Sequence, residues 1–462
     1  MNIDSFLRLP DGSLTWIGKL SRSFPKDSLR RRFASGIFWS MLGTVLSQCL
    51  NLVSSIVAAQ LLGKKGFGEF GIINSTVSTI GIFAGFGLGL TATKYIAELR
   101  HKDPVRAGRI LGLSQLSALV SGGIASLIFF MIAPLLATKM LNAPHLVTEL
   151  RIGCGILLFS TLSGVQVGSL AGFESFRTTA RANFWAGIIN FPFVLAGVFF
   201  FGLRGLVAGM LASTILGCLI YYVTLRREAI KAGITFLYKG VTSELTVLWN
   251  FSVPSLFSTL MASPAIWLAY ALLVNQPNGY SEMGVFNAAN QWRAMILFIP
   301  DIVGQAIVPM MSSLYGSNDI AATRRVLLAS MGINALVVVP IALLLIMGSN
   351  IVMSFYGAEF SGRGNVLSVI ALTIALLAIE APVGKILAAT GRMWLGVCMN
   401  FGWALVFLGS NALLQKKGYG ADGLATAFLI AYIVHGVWTF WYAYTVVRPS
   451  IAPCAVPTHR DA

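Results

Sequence analysis

The stretch Ile110–Leu135, ILGLSQLSALVSGGIASLIFFMIAPL, runs for 26 residues without a charged side chain. About 20 apolar residues in a helix cross the roughly 30 Å hydrocarbon core of a bilayer, so this segment reads as a transmembrane helix. A membrane strand would alternate in polarity and end after about ten residues. The same reading applies outward in both directions. Before it stand Ser35–Leu61 and Phe70–Leu90; after it come Ile152–Gly172, Phe184–Phe201 and Leu206–Leu225. A second series follows at Leu245–Val274, Val285–Tyr315, Val326–Met347, Val366–Leu387, Trp394–Leu414 and Leu424–Val447. The chain is 56% apolar and 11% charged, where soluble domains carry about 25% charged residues. The expected fold is an all-α polytopic membrane protein of twelve transmembrane helices, arranged as two parallel six-helix lobes around a central cavity.

The two series repeat one another. Gly71 and Asn74 correspond to Gly284 and Asn287, Val167-Gly168 to Val383-Gly384, and Asn183-Phe184 to Asn400-Phe401. Gly202 pairs with Gly420, and Gly205-Leu206 with Gly423-Leu424. Six spans are an even number, so both halves enter and leave on one side and are related by an axis along the membrane normal. The expected organisation is a basic segment at 1–34, a first lobe at 35–225, a linker at 226–244, a second lobe at 245–447 and a tail at 448–462. Short connections join the spans, among them Gly63–Glu69, Gly202–Gly205 and Asn275–Gly284 on the side opposite the linker.

Charge sets the expected orientation. Placing both termini in the cytoplasm puts 24 of the 33 Lys and Arg residues on that side, as the positive-inside rule requires for short loops. The net charge of +16 is then a topology signal. Its cations are scattered over inner loops and form no tract for nucleic acid. The N-terminal segment lacks the apolar core of a cleavable signal. Trp16, Ile17, Leu20 and Phe24 suit either a helix lying on the inner leaflet or a disordered basic tail. Cys49, Cys154, Cys218 and Cys398 sit within spans and Cys454 in the tail, so neither a disulfide framework nor a metal site is expected. No phosphate loop, nucleophile–base pair or large external loop marks an enzyme.

Candidate functional residues are the polar ones inside the spans. A charged group at a helix centre costs about 2.5–3.5 kcal/mol on insertion scales, so it belongs on a polar cavity or beside a partner. Arg293 lies inside the eighth span, following Asn287, Asn290 and Gln291, which share one helical face. A guanidinium beside amides suits an anionic, hydroxyl-rich ligand; the alternative is that Arg293 ties helices together. Asn74 and Gln48 are further candidates for the substrate path, with helix–helix hydrogen bonding as the plainer role. Asp301 and Glu380 are the deeply placed acids, able to bind a coupling H⁺ or Na⁺ or to neutralise a cation nearby. His435 reads as a packing residue, with a proton relay as the alternative. No other cofactor is expected.

The segments Ala59-Gln60-Leu61-Leu62-Gly63-Lys64-Lys65-Gly66-Phe67-Gly68-Glu69-Phe70-Gly71 and Gly87-Leu88-Gly89-Leu90-Thr91-Ala92-Thr93-Lys94-Tyr95-Ile96-Ala97-Glu98 resemble the polysaccharide transporter family. Val285-Phe286-Asn287-Ala288-Ala289 and Phe355-Tyr356-Gly357 extend the likeness into the second half. These are lipid-linked oligosaccharide flippases of the multidrug/oligosaccharidyl-lipid/polysaccharide exporter superfamily. The resemblance implies a cavity between lobes that opens alternately to each side of the cytoplasmic membrane. It implies outward passage of a polyprenyl-diphosphate-linked oligosaccharide for surface polysaccharide biosynthesis, with other polysaccharide-assembly proteins as partners. A cationic lumen would receive the diphosphate, and Lys94 and Arg100 would attract the headgroup. The competing readings are a multidrug or organic-cation antiporter of the same superfamily, a fourteen-span peptidoglycan-precursor flippase, a membrane glycan polymerase or ligase, and a scaffold.

Overall fold

The computed structural model describes residues 29–85, 87–247, 252, 262–316, 319–389 and 393–447. The N-terminal segment before Leu29, with both of its readings, lies outside these residues, as does the tail. Among the described residues the regular structure is helical throughout. The long helices are α1 (Leu29–Gly85), α2 (Leu88–Leu99), α3 (Pro104–Leu135), α4 (Val147–Gly172) and α5 (Phe176–Lys231). After the linker come α6 (Ala262–Val274), α7 (Gly279–Gly316), α8 (Ile320–Met347), α9 (Gly364–Ala389), α10 (Met393–Lys416) and α11 (Gly420–Val447). Eight helices among the described residues are long and apolar enough to cross a bilayer.

Two of those eight hold a sharp break. Gly63 within α1 has φ 67° and ψ −180°, and Gly202 within α5 has φ 58° and ψ −138°. Both are left-handed, a region that glycine enters without a Cβ penalty, and each break reverses the chain between two membrane-length arms. The sequence suggests connections of several residues at Gly63–Glu69 and Gly202–Gly205. The structure reduces each to one residue, because helical hydrogen bonds satisfy the backbone near lipid better than an open loop. Gly420, the repeat mate of Gly202, also has positive φ, 52°. The duplication read from sequence therefore recurs in backbone conformation.

Helix starts follow ordinary capping. Asp103 accepts a hydrogen bond from the Arg106 amide at 2.9 Å ahead of Pro104 at the first turn of α3. Asp319 does the same for Ala322 ahead of α8. Both satisfy amides that a helix leaves unpaired. The face of each helix follows from burial. On α3, Leu127 and Met131 are exposed toward lipid, whereas α9 is mostly buried in the centre of the second lobe.

The linker is built onto the first lobe. After α5 ends at Lys231, Gly233 turns the chain at φ 70°. The Leu237 amide then donates to the Gly108 carbonyl at 3.1 Å. Gly108 and Gly112 of α3 admit this approach, since a Cβ on either would lie 2.2 Å from a linker carbonyl oxygen. Glu244 closes the strap, buried against Arg106 at 3.0 Å and Arg109 at 3.9 Å.

Candidate substrate path

The two lobes meet along α1 and α7 at close-packed glycines. A Cβ on Gly68 would sit 1.8 Å from the Tyr280 carbonyl oxygen, and one on Gly284 would sit 2.0 Å from that of Lys64. Gly71 lies directly against the side chain of Asn287. Around this crossing the lobes are sealed. Gln60 donates to the Phe355 carbonyl at 2.7 Å, and the Lys64 amide donates to the Glu359 carboxylate at 3.0 Å. Asn275 donates to Met140 O at 2.7 Å, and the Tyr280 hydroxyl to Leu141 O at 2.6 Å. Phe67 packs between Tyr356 and Phe360, with centroids 6.2 and 6.3 Å away. All of these contacts lie on one face, which carries the breaks at Gly63 and Gly202.

Beneath the seal a cavity of about 770 Å³ lies between the lobes. It runs along α1 from Asn74 to Gly85, then past Gly87 to Leu90 on α2. Trp267 donates to Thr76 at 2.8 Å beside its upper end. Gly87, at φ 64°, separates α1 from α2. Gly89 then crosses α4 so closely that a Cβ on Gly168 would meet its carbonyl oxygen at 2.3 Å. Gly87 is thus a bend and Gly89 a crossing. The opposite wall carries Ser160 and Thr161 of α4, with Ser263 and Asn400 from the second lobe. Amides and hydroxyls set in an apolar, glycine-rich wall suit a hydroxyl-bearing ligand with apolar faces.

The sequence-derived candidates fall in four places. Asn74 is exposed on the interlobe cavity. Asn287 belongs to the seal, donating to Phe67 O at 3.4 Å. Asn290 and Arg293 line a separate, small cavity of about 20 Å³ inside the second lobe, with Thr373 of α9 and Tyr432 of α11. Gln48 and Gln291 are half-buried and line neither cavity. One helical face of α7 therefore serves two environments, a division that its spacing alone does not reveal. Asn51, Asn183 and Asn190 take the helix-tying role: Asn190 donates to Asn51 at 3.0 Å, and Tyr221 donates to Asn183 at 2.9 Å.

At the face opposite the seal, Lys94 is exposed on α2 and lies 5.1 Å from the Tyr95 ring centroid. Arg100 is paired with Glu174 at 2.8 Å, so its charge is already engaged. The Asp301 side chain lies outside the described residues. Glu380 is 4% exposed on α9, and its Oε2 stands 3.2 Å from Nδ1 of His435 on α11. His435 also packs edge-on between Tyr432 and Trp438, so it is a packing residue and a carboxylate partner at once. Three further acids are buried nearer the faces, each beside a basic side chain. Glu69 meets His145 at 2.9 Å, Glu149 meets Arg204 at 3.1 Å, and Glu244 meets the linker-binding arginines.

The sealed face carries one more cluster. Arg363, in the connection before α9, forms a two-pronged pair with Glu282 at 2.8 and 2.6 Å and reaches Asp422 at 3.4 Å. The Ala421 amide also donates to Glu282 at 2.8 Å. Burial alone would raise the Glu282 pKa; the hydrogen bonds from Arg363 and Ala421, with the arginine charge, outweigh it and hold the carboxyl below its ordinary value.

Two helical lobes with a polar-flecked cavity between them, sealed at one face, have the architecture of a membrane transporter. The chain belongs to the polysaccharide biosynthesis protein family, whose sequence profile matches residues 33–315. It is 20% identical over 407 residues to the EPS I polysaccharide export inner membrane protein EpsE of Ralstonia solanacearum, covering 87% of this chain and 92% of that one. It is 21% identical over 298 residues to the lipid III flippase of Escherichia coli (strain K12), covering 62% and 69%. Among solved structures it matches a multidrug resistance MATE family transporter of the MOP superfamily in an inward-facing conformation. That match has a TM-score of 0.72 at 16% identity, covering 87% of this chain and 96% of the other. A MOP superfamily transporter from Pyrococcus furiosus matches with a TM-score of 0.66 at 14% identity, covering 89% and 95%. At such identities the structural likeness defines the fold alone.

Proposed function

We propose that this protein is a flippase that carries a polyprenyl-diphosphate-linked oligosaccharide from the inner to the outer leaflet of the cytoplasmic membrane for surface polysaccharide biosynthesis. The observation that carries this reading is the interlobe cavity, closed at one face by direct contacts between the lobes. The positive-inside rule makes the sealed face the outer one, since the cations gather at the other. The structure then corresponds to the state that loads from the cytoplasm. The glycan enters between the lobes along α1 and α2 and meets the Asn74, Ser160, Thr161 and Asn400 groups, while the polyprenyl chain stays in lipid. Lys94 meets the diphosphate at the inner surface; Arg100 must leave Glu174 to assist. Rocking of the lobes breaks the glycine crossing and exposes the cavity outward. The assembly enzymes that extend the glycan outside are its natural partners.

The polysaccharide-export and flippase relatives support this substrate over drugs or organic cations, with which the multidrug neighbours connect only through the fold. The test uses the purified protein in liposomes with a fluorescent undecaprenyl-diphosphate oligosaccharide and, separately, an organic-cation dye. Protein-dependent movement of the glycolipid between leaflets, blocked by Asn74→Trp in the cavity, is the expected result. Movement of the dye with none of the glycolipid would overturn it in favour of the antiporter.

A further inference from the structure

Glu380, His435 and Arg293 lie at one level of the second lobe. Each stands about fifteen residues, roughly 22 Å along a helix, from the sealed-face start of its own helix at Gly364, Gly420 or Gly279. Glu380 is the deep acid of this layer, and its nearest partner is a side chain that itself titrates. Its Oε2 faces His435 Nδ1, which must carry the hydrogen whenever the carboxylate is ionised, because the oxygens can then only accept. Its Oε1 is buried with no hydrogen-bond partner and lies over Gly436, where a Cβ would come within 2.3 Å. An ionised carboxylate with one oxygen unsatisfied is costly to bury, and the neutral acid is far cheaper.

The surroundings fix what Glu380 can sense. From α7 comes Arg293, which lines the small cavity with Tyr432 of α11. The Tyr432 ring in turn packs edge-on against His435. Helix α8 contributes the Asn334 amide, and α10 has no charged side chain before Lys416. No ion pair joins Arg293 to Glu380 among the described residues. The donor set of one carboxylate and one imidazole suits a proton. A hard cation such as Na⁺ wants a shell of oxygens.

The site also sits at a gap in the helical hydrogen-bond ladder. Pro382 of α9 has no N–H, which leaves the Ala378 carbonyl without its helical donor. Asn334 of α8 fills that place, donating to Ala378 O at 2.8 Å. A change of charge at Glu380 therefore falls within one turn of a weakened stretch of α9 that is tied to a neighbouring helix.

We propose that Glu380, held by His435 as its positioning partner, is the proton-binding site that couples transport to the proton gradient, with the proline-interrupted turn of α9 as its mechanical output. This rests on the reading of the protein as an exporter. Oε1 takes one proton while the lobes are open outward and releases the same proton to the cytoplasm when they are open inward, in exchange for the outgoing glycolipid.

The test has two parts on the full-length protein. The first titrates intrinsic fluorescence of the detergent-purified protein from about pH 5 to 8, the range in which imidazole charge changes. The His435 ring lies 6.1 Å from that of Trp438, so wild type should show a pH-dependent change that is lost in Trp438→Phe and shifted in Glu380→Gln. No Trp438-dependent change in wild type would overturn the proposal, even if the Glu380 variant failed to fold. The second part measures fluorescent undecaprenyl-diphosphate oligosaccharide in liposomes. One proton moved down one pH unit sustains about a tenfold cargo gradient. Wild type should show that tenfold accumulation, and Glu380→Gln and His435→Gln should fall to onefold. Full pH-driven accumulation in Glu380→Gln, or accumulation driven by Na⁺ alone, would refute it. Absence of any glycolipid exchange by wild type would instead defeat the substrate assignment, with the fluorescence titration still reporting on the site.

Discussion

Gly68→Ala is the smallest change that should unseat the seal. The added methyl carbon would lie 1.8 Å from the Tyr280 carbonyl oxygen and 2.8 Å from the Gly284 nitrogen. These are backbone atoms that no rotamer change can clear, so α1 and α7 must separate by more than an ångström. Forcing a methyl into a packed contact costs about 1–3 kcal/mol. Tyr280 also donates to Leu141 at 2.6 Å, and the Lys64 amide donates to Glu359 at 3.0 Å just one helical turn away. Stretching both beyond bonding range removes about 0.5–1.5 kcal/mol each. The sealed state should therefore lose about 2–6 kcal/mol relative to the outward-open one, a shift of roughly 30-fold or more in their ratio. The assay places a cysteine at Asn74, in a protein stripped of its native cysteines, and labels intact cells with a membrane-impermeant maleimide. Labelling should be slow in the parent and at least tenfold faster with Gly68→Ala. Gly81→Ala is the control, since a Cβ there meets nothing within 4 Å. Equal outer labelling of the parent and Gly68→Ala would refute the seal.

Other perturbations separate the remaining features. Gly112→Val drives a side chain into the Leu237 carbonyl, 2.2 Å from its Cβ, and should lift the linker from α3. Faster proteolysis between Gly233 and Glu244 would report this, and an unchanged cleavage rate would count against the strap. The Glu282–Arg363 pair gives a pH dependence: the carboxyl is depressed, so its stabilisation is present above the ordinary carboxylate range of about 4.3 and is lost as pH falls through the lower native value. The melting temperature of wild type should therefore exceed that of Glu282→Gln at neutral pH and converge with it below about pH 4; a constant difference down to that pH would contradict the assignment. Lys94→Glu should slow glycolipid transport at saturating protein. If transport keeps its wild-type rate, Lys94 has no part in headgroup capture.

The spans are legible in the sequence because hydrocarbon imposes length and polarity on every crossing segment. The connections are less so. Lys64, Lys65 and Glu69 look like loop residues, yet the helix resumes immediately after Gly63: the two lysines reach water from a helical backbone, and Glu69 is buried against His145. Asn74 could be placed on the path because it lies on a span whose repeat mate abuts it across the lobes. Arg293 could be placed at depth, but which cavity it faces depends on how α7 is rotated against α9 and α11, and one sequence does not carry that rotation. The Glu380–His435 contact joins residues on different helices, 55 positions apart. No spacing rule reaches across that distance, so only the packed lobe reveals that an apparent packing histidine addresses the acid.

The break at Gly63 has a consequence for how readily the lobes part. It creates a fresh helix start in the middle of α1, and its first amide, on Lys64, is capped by Glu359 from the opposite lobe. A capping carboxylate there also meets the positive end of the helix dipole. When the lobes separate, this amide emerges at the aqueous surface, where water replaces the carboxylate and no polar group is stranded in lipid. The clasp is thus reversible at low net cost: firm enough to select one state, yet weak enough to open on every turnover.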